Sequence, residues 1–311
     1  MQINRKKIYY SILASIVILF SAMFFLKNLS NELQNKKSTS TVFILNQKDL
    51  DNLIKSKIIA QKSFFWPNGK KLAVSLTYDD GLEEHINLVA PLLSQVGLKG
   101  TFYVPIYKSL LPKKEEWKKI AEMGHELGNH SIFHPCRRDH LTTYNIDKYD
   151  LNRWYDEMNL ANSILESIDH NSIHSFAIPC AQTIIGPLDC LYSIEPLIKE
   201  LFECGRSYND NEIIVPQNLS FTSLPSISCD RLYAPTFKQI LQIINKAEKV
   251  NGWAILTFHG VGNNKRDLTI AKDDHLKLIN YLSENQDKIW VAPVIDVSQY
   301  LKSSGWGYHV Q

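Results

Sequence analysis

The sequence lacks the paired cysteines, the excess of one charge and the low-complexity composition that mark several classes of protein. Its five cysteines form no Cys-x-x-Cys pair, which excludes a structural zinc site of the finger or ribbon type. Lys and Arg number 34 against 32 Asp and Glu, and a net charge of +2 gives no field that would attract nucleic acid. With 44% hydrophobic and 21% charged residues, the 311-residue chain has the composition of a globular protein. In an exported protein up to two disulfides can form, and the sequence leaves their pairing open.

Long apolar runs are also scarce, with one exception at the N-terminus. A basic cluster ending at Lys7 precedes 19 uncharged residues, 8–26. That run approaches the roughly 20 residues needed to span a bilayer and exceeds the h-region of a cleaved signal peptide, about 7–15 residues. We predict a signal-anchor transmembrane segment over residues 1–27, with the remaining chain on the extracytoplasmic side, periplasmic or extracellular. The alternative is a cleaved signal peptide, which would leave the protein secreted.

The pattern after this segment predicts an α/β fold. Residues 28–61 are predicted to be a polar tether with a short pre-domain segment, and residues 62–311 a single folded domain. Short β-rich runs alternate there with amphipathic helical ones, beginning with a strand at 72–77 and a helix at 84–96. This alternation favours a single (β/α) barrel of about seven parallel strands, and a doubly wound sheet is the competing topology.

Two adjacent carboxylates follow the first predicted strand. Asp79 and Asp80 stand before Gly81, which permits a tight turn at the carboxyl edge of the sheet. Acidic pairs at this edge are typical of catalysis, although Asp-Asp-Gly alone is also an ordinary turn.

Histidines occupy two further strand ends. His130 and His134 are four residues apart, a spacing that aims both rings at one point if the segment makes a helical turn. His259 ends the predicted strand 253–258. Because α/β folds build their sites at the carboxyl ends of parallel strands, these groups are predicted to meet there. Two imidazoles and the Asp80 carboxylate are a suitable ligand set for a divalent first-row metal.

In these segments the chain resembles the polysaccharide deacetylase family, carbohydrate esterase family 4. Its first motif is matched by residues 78–80, its second by residues 130–135, a weaker third by residues 176–180, and its fifth by residues 256–259. The resemblance covers about residues 62–303. It implies a deformed (β/α) barrel and a metal-dependent hydrolase.

The resemblance also implies a role for each matched residue. Asp79 would be the general base and His259 the general acid, while Asp80, His130 and His134 would bind the metal. The backbone N–H of Cys180 would help to bind the oxyanion, and Tyr78 is assigned to the same oxyanion and substrate-binding group. The metal implied is Zn²⁺, with Co²⁺, Ni²⁺ or Mn²⁺ as alternatives. A Cys136 or Cys180 thiolate near the metal is a further option, but the Asp-His-His set suffices.

The chain departs from the family pattern at two points. The third motif usually starts with an arginine that orients the base, and that position is Ala177 here. We predict that Arg206 replaces it. The fourth motif usually supplies an aspartate that pairs with the catalytic histidine, and Asp230 is the candidate, with Asp210 as the weaker choice.

The predicted function is hydrolysis of acetyl groups from N-acetylated sugars of a polysaccharide such as peptidoglycan, a chitin-like polymer or poly-N-acetylglucosamine. Two alternatives stay open: an O-deacetylase of acetylated xylan or a related polymer, and a non-catalytic envelope protein that binds sugar. The predicted partners are the polysaccharide and, through the N-terminal helix, a membrane.

Overall fold

The computed structural model describes residues 66–137, 144–208, 212–216, 219–230, 235–262 and 268–305. The predicted membrane segment 1–27 and tether 28–61 lie outside these residues. None of the helices in the described ranges combines the length and apolar character required to cross a bilayer.

The strands are short apart from the first and the ninth. In chain order they are β1 Leu72–Asp79, β2 Thr101–Val104, β3 Glu126–Asn129, β4 Phe176–Ala177, β5 Ile184–Ile185, β6 Tyr192–Ser193, β7 Gly205–Arg206, β8 Ile227–Ser228, β9 Trp253–Phe258, β10 Gly260–Val261, β11 Thr269–Ile270 and β12 Ile289–Val291.

The α-helices alternate with the strands of the main sheet. They are α1 Ala90–Gln95, α2 Lys114–Glu122, α3 Leu151–Asp169, α4 Glu195–Leu201, α5 Phe237–Lys249, α6 Lys272–Glu284 and α7 Val294–Ser303. The helix predicted at 84–96 begins instead with a π-helical turn, His85–Val89, that continues directly into α1.

The main sheet is a curled half-barrel of parallel strands. Seven strands follow one another in the order β7-β4-β3-β2-β1-β9-β8, and β12 pairs with the first half of β1. An isolated parallel bridge from Arg206 to Leu224 extends the curl beyond β7. The α/β architecture with about seven parallel strands is therefore confirmed, and the barrel is only partly formed within the described residues.

Alternation along β1 separates the core from the site. All eight residues of β1 are buried. Leu76 and Tyr78 belong to the large apolar cluster that packs under the surrounding helices. Thr77 and Asp79 point to the opposite, inner face, as expected of residues two apart in a strand. On this face the Thr77 hydroxyl lies 3.0 Å from that of Thr257 in β9, so the floor of the curled sheet is polar.

Candidate metal centre and hydrolytic site

Asp80, His130 and His134 converge at the carboxyl edge of β1 and β3. The Asp80 Oδ1 atom lies 3.6 Å from His130 Nε2 and 3.5 Å from His134 Nε2, and the three ligand atoms lie within 4.8 Å of one another. A tetrahedral ion with bonds of about 2.0–2.1 Å would separate its ligands by about 3.4 Å, so this donor set fits a divalent metal.

The ring of His130 is oriented by a backbone group. Its Nδ1 atom lies 2.9 Å from the Ala177 carbonyl oxygen, to which Nδ1–H donates, leaving the Nε2 lone pair directed at Asp80 and His134. Burial, followed by the charge of His130, lowers the pKa of His134 to about 4. The His134 imidazole is thus neutral near pH 7, as a metal ligand must be.

The histidine segment is a loop, so the helical turn that would aim both rings at one point does not form. Ser131 has a φ of 64° and His134 a φ of 55°, both in the left-handed region. The rings of His130 and His134 nevertheless meet edge to face, with centroids 4.7 Å apart. The His134 N–H donates to the Ser131 hydroxyl at 2.7 Å, which stabilises this conformation.

A buried carboxylate on α3 holds the same loop. The backbone N–H groups of Ile132 and Phe133 donate to Glu157 Oε1 at 3.2 and 3.1 Å, and the Tyr149 hydroxyl donates to Oε2 at 2.6 Å. Burial raises the pKa of Glu157 despite these bonds. Glu157 therefore fixes the backbone between the two histidines without itself facing the metal ligands.

Asp79 is a buried carboxylate with one bonded and one unbonded oxygen. Its Oδ2 atom accepts from Arg206 Nη2 at 2.6 Å and from the Tyr208 hydroxyl at 2.8 Å. Its Oδ1 atom is buried and has no hydrogen-bond partner among the residues placed in the structure. Burial would raise the pKa of Asp79, but the Arg206 guanidinium, with smaller contributions from His130 and His259, outweighs it and lowers the pKa. Asp79 is therefore an ionised carboxylate with a free acceptor.

Arg206 lies in contact with the predicted base, as expected from the missing motif-three arginine. In the β4–β7 pairing Arg206 is the partner of Ala177, so the cation comes from the neighbouring strand at the same height in the sheet. Arg206 is 1% exposed, and its guanidinium carbon contacts two aromatic rings, 4.9 Å from the Tyr103 centroid and 5.1 Å from the Tyr208 centroid.

His259 pairs with the predicted aspartate. Its Nδ1 atom lies 3.0 Å from Asp230 Oδ2, and its backbone N–H donates to the same oxygen. Burial would lower the pKa of His259, but the hydrogen bond to Asp230 and the charges of Asp79 and Asp230 raise it to about 9. The imidazole is thus protonated at neutral pH, with Nε2 left to face the site.

Two predicted contacts need correction or completion. The Tyr78 side chain is fully buried on the core face of β1 and its hydroxyl lies 2.8 Å from His275 Nε2, so strand alternation directs it away from the site. Cys180 follows the third-motif proline as expected and has a φ of 52°. Its sulfur forms a disulfide with Cys136, which joins the second-motif loop to the third and rules out thiolate ligation in this state.

Tyr208 and Glu157 escaped the sequence-based assignment of roles. Tyr208 received no role, although it stands two residues after Arg206 and so on the same face of an extended segment. Glu157 interrupts the apolar stripe of α3 between Trp154 and Ala161, which is a detectable signal.

Comparison with known proteins agrees with the motifs. The family model for polysaccharide deacetylases matches residues 67–183, which include Asp79, Asp80 and both second-motif histidines. A protein from Mycobacterium smegmatis, described as a candidate polysaccharide deacetylase, shares the fold with a TM-score of 0.57 at 16% identity, covering 78% of this chain and 94% of that one.

Two further similarities are more limited. The peptidoglycan deacetylase PdaC from Bacillus subtilis aligns with a TM-score of 0.48 at 15% identity, over 77% of this chain and 95% of that one. A gellan lyase from a Bacillus species is 35% identical over 69 residues, or 22% of this chain, and the chain spans only 3% of that protein. The match of the family model to residues 67–183 confirms the resemblance recognised in the sequence motifs.

Proposed function

We propose that this chain is a metal-dependent hydrolase that removes acetyl groups from N-acetylated sugars of a polysaccharide. The observation that carries this proposal is the unbonded Asp79 Oδ1 atom, a buried acceptor on an ionised carboxylate directly preceding the ligand Asp80. A protein that only binds sugar has no need for such a group, because an unsatisfied buried acceptor lowers stability by about 1–3 kcal/mol.

Asp80, His130 and His134 would hold the ion. When bound, a divalent ion polarises the acetyl carbonyl and lowers the pKa of a water molecule to about 7. Zn²⁺ suits the His₂Asp donor set, and Co²⁺, Ni²⁺ and Mn²⁺ are alternatives.

The side chains around this centre supply both proton transfers of amide hydrolysis. Asp79 Oδ1 takes a proton from the attacking water, while Arg206 and Tyr208 keep its Oδ2 in place. His259 then gives its Nε2 proton to the departing nitrogen, and Asp230 stabilises the imidazolium until that transfer. The backbone N–H of Cys180 is proposed to stabilise the developing oxyanion. The C–N bond breaks, and the products are acetate and the amine.

We also propose that the domain works outside the cytoplasm. The Cys136–Cys180 disulfide supports this location because structural disulfides persist mainly in oxidising compartments. The proposed membrane attachment through residues 1–27 depends on the sequence pattern.

The proposal is tested by acetate release from N-acetylglucosamine oligomers, peptidoglycan and acetylated xylan. We expect release from an N-acetylated substrate that a chelator abolishes and added Zn²⁺ or Co²⁺ restores. His130→Ala should abolish both metal binding and acetate release, whereas Asp79→Asn should abolish acetate release and still bind the metal. The control His170→Asn, at an exposed helix end, should retain both. Release that survives chelation or His130→Ala would contradict the metal mechanism. A folded, metal-loaded protein that releases acetate from xylan alone would favour O-deacetylation, and one inactive on all three would favour a sugar-binding function.

A further inference from the structure

Tyr208 lies between the two side chains that are proposed to transfer protons. Its hydroxyl donates to Asp79 Oδ2 at 2.8 Å and lies 3.3 Å from His259 Nε2. The Tyr208 and His259 rings are almost parallel, with an interplanar angle of 9°. One phenol therefore contacts both the acceptor and the donor of the proposed reaction.

The two contacts differ in character. The Tyr208 O–H proton is committed to Asp79, so the oxygen meets His259 Nε2–H with a lone pair. The bond to Asp79 is charge-assisted and short, whereas the 3.3 Å contact is at the long end of the hydrogen-bond range. The contact with His259 can thus be exchanged for a substrate nitrogen while the contact with Asp79 persists.

Arg206 cannot fix the carboxylate by itself. Its Nη2 atom donates to Asp79 Oδ2, and its Nη1 atom points to Ser226 and Thr257 at 3.2 and 3.4 Å. Only one guanidinium nitrogen thus reaches Asp79 by hydrogen bonding, in place of the bidentate geometry that would lock both oxygens. The Tyr208 hydroxyl supplies the second donor to Oδ2, which restricts rotation of the carboxyl group and keeps Oδ1 unbonded.

We propose that Tyr208 is a positioning residue for the hydrolytic reaction, an inference that depends on the proposed function. Its hydroxyl holds Asp79 with Oδ1 turned to the attacking water, and it holds the Nε2–H of His259 in the site until a leaving group replaces it. The pair Arg206 and Tyr208, from one extended segment, would then replace the single motif-three arginine absent at Ala177.

Tyr208→Phe removes the hydroxyl and keeps the ring, and Tyr103→Phe is the matched control. Tyr103 also packs against the Arg206 guanidinium, but its hydroxyl bonds to Ser175 in the core, at 2.9 Å. For Tyr208→Phe we expect kcat on an N-acetylglucosamine oligomer to fall about 10- to 100-fold, because one hydrogen bond to a charged group is lost. KM and the amount of bound metal should stay unchanged. On 4-nitrophenyl acetate, whose leaving group departs without a proton, the loss should be smaller because only the contact with Asp79 matters. Tyr103→Phe should leave kcat unchanged.

A second measurement does not need catalysis. In ¹⁵N-histidine NMR spectra of the metal-free protein, Tyr208→Phe should move the Nε2 resonance of His259 and Tyr103→Phe should not. Equal kcat values for the two variants, or a loss confined to KM, would overturn the proposal. A Tyr208→Phe protein that fails to fold while Tyr103→Phe folds would also overturn it, since the hydroxyl would then serve stability. If the wild type releases no acetate but the His259 resonance moves as expected, the proposed function fails and the contact stands.

Discussion

The His259–Asp230 pair predicts how the rate depends on pH. Asp230 Oδ2 accepts from both the ring and the backbone N–H of His259, and Asp230 is 1% exposed. Its carboxylate offsets the burial that would otherwise lower the pKa of the imidazole. Asp230→Asn keeps an oxygen acceptor of the same size but removes the charge, so burial should then dominate and the pKa of His259 should fall.

The magnitude follows from the pKa of about 9. At pH 8 a group with that pKa is roughly 90% protonated, whereas at the ordinary value of 6.5 it is roughly 3% protonated. Because His259 must carry a proton to release the amine, activity is lost as pH rises through its pKa. Asp230→Asn should therefore reduce kcat/KM at pH 8 by about 30-fold or more and much less at pH 6.

The assay is kcat/KM for an N-acetylglucosamine oligomer from pH 5 to 10, with Asp287→Asn, at an exposed turn, as the matched control. A bound cation would lower the pKa of His259 in both proteins, so the observable is the displacement of the alkaline limb between them. We expect this limb to move to lower pH in Asp230→Asn and to stay in Asp287→Asn. An alkaline limb at the same pH in all three proteins would refute the assignment of His259 as the acid that Asp230 tunes.

Three other substitutions test how the site is held together. Glu157→Ala should weaken metal binding about 10-fold in a competition assay and lower the free energy of unfolding by about 1–3 kcal/mol, because two loop N–H groups lose their acceptor. Both effects should be smaller in Glu157→Gln, which keeps an oxygen acceptor. Equal metal affinities in the wild type and Glu157→Ala would contradict the role of Glu157. Arg206→Met should raise the pKa of Asp79 because burial is then unopposed, and kcat at pH 7 should fall at least 10-fold; unchanged turnover would remove Arg206 from the site. Replacing Cys136 and Cys180 together by Ser should destabilise the fold by about 2–4 kcal/mol in denaturant titrations. Dithiothreitol should destabilise the wild type by a similar amount and should leave the stability of the double variant unchanged.

The sequence predicted the elements of the fold well because hydrophobic periodicity is a local property. The strand predicted at 72–77 lies within Leu72–Asp79, and the strand predicted at 253–258 is Trp253–Phe258. The curling of the sheet was harder to predict from the sequence, because it depends on two-residue strands such as Gly205–Arg206 that carry almost no periodic signal.

For the site, the expectation that functional residues lie at the carboxyl ends of parallel strands predicted which residues share one edge of the sheet. Asp80, His130 and His134 meet as expected, and Arg206 and Asp230 contact Asp79 and His259. Their catalytic roles remain predictions.

The details that the sequence did not reveal depend on tertiary contacts. The Cys136–Cys180 pairing links loops 44 residues apart, and no local pattern selects it among five cysteines. Tyr78 was misplaced because its neighbours carry motif chemistry, whereas strand alternation turns it into the core.

The left-handed backbone at this centre has a consequence for how the protein would respond to selection. Asp80, Ser131, His134 and Cys180 have φ values of 74°, 64°, 55° and 52°, in a region that costs an ordinary residue about 1–2 kcal/mol relative to glycine. Asp80 and His134, which are proposed to bind the metal, thus occupy positions where glycine would be the less strained residue. A screen for heat resistance that ignores activity is therefore expected to enrich glycine at these two positions, and the most stable variants would be those that have lost the metal ligands.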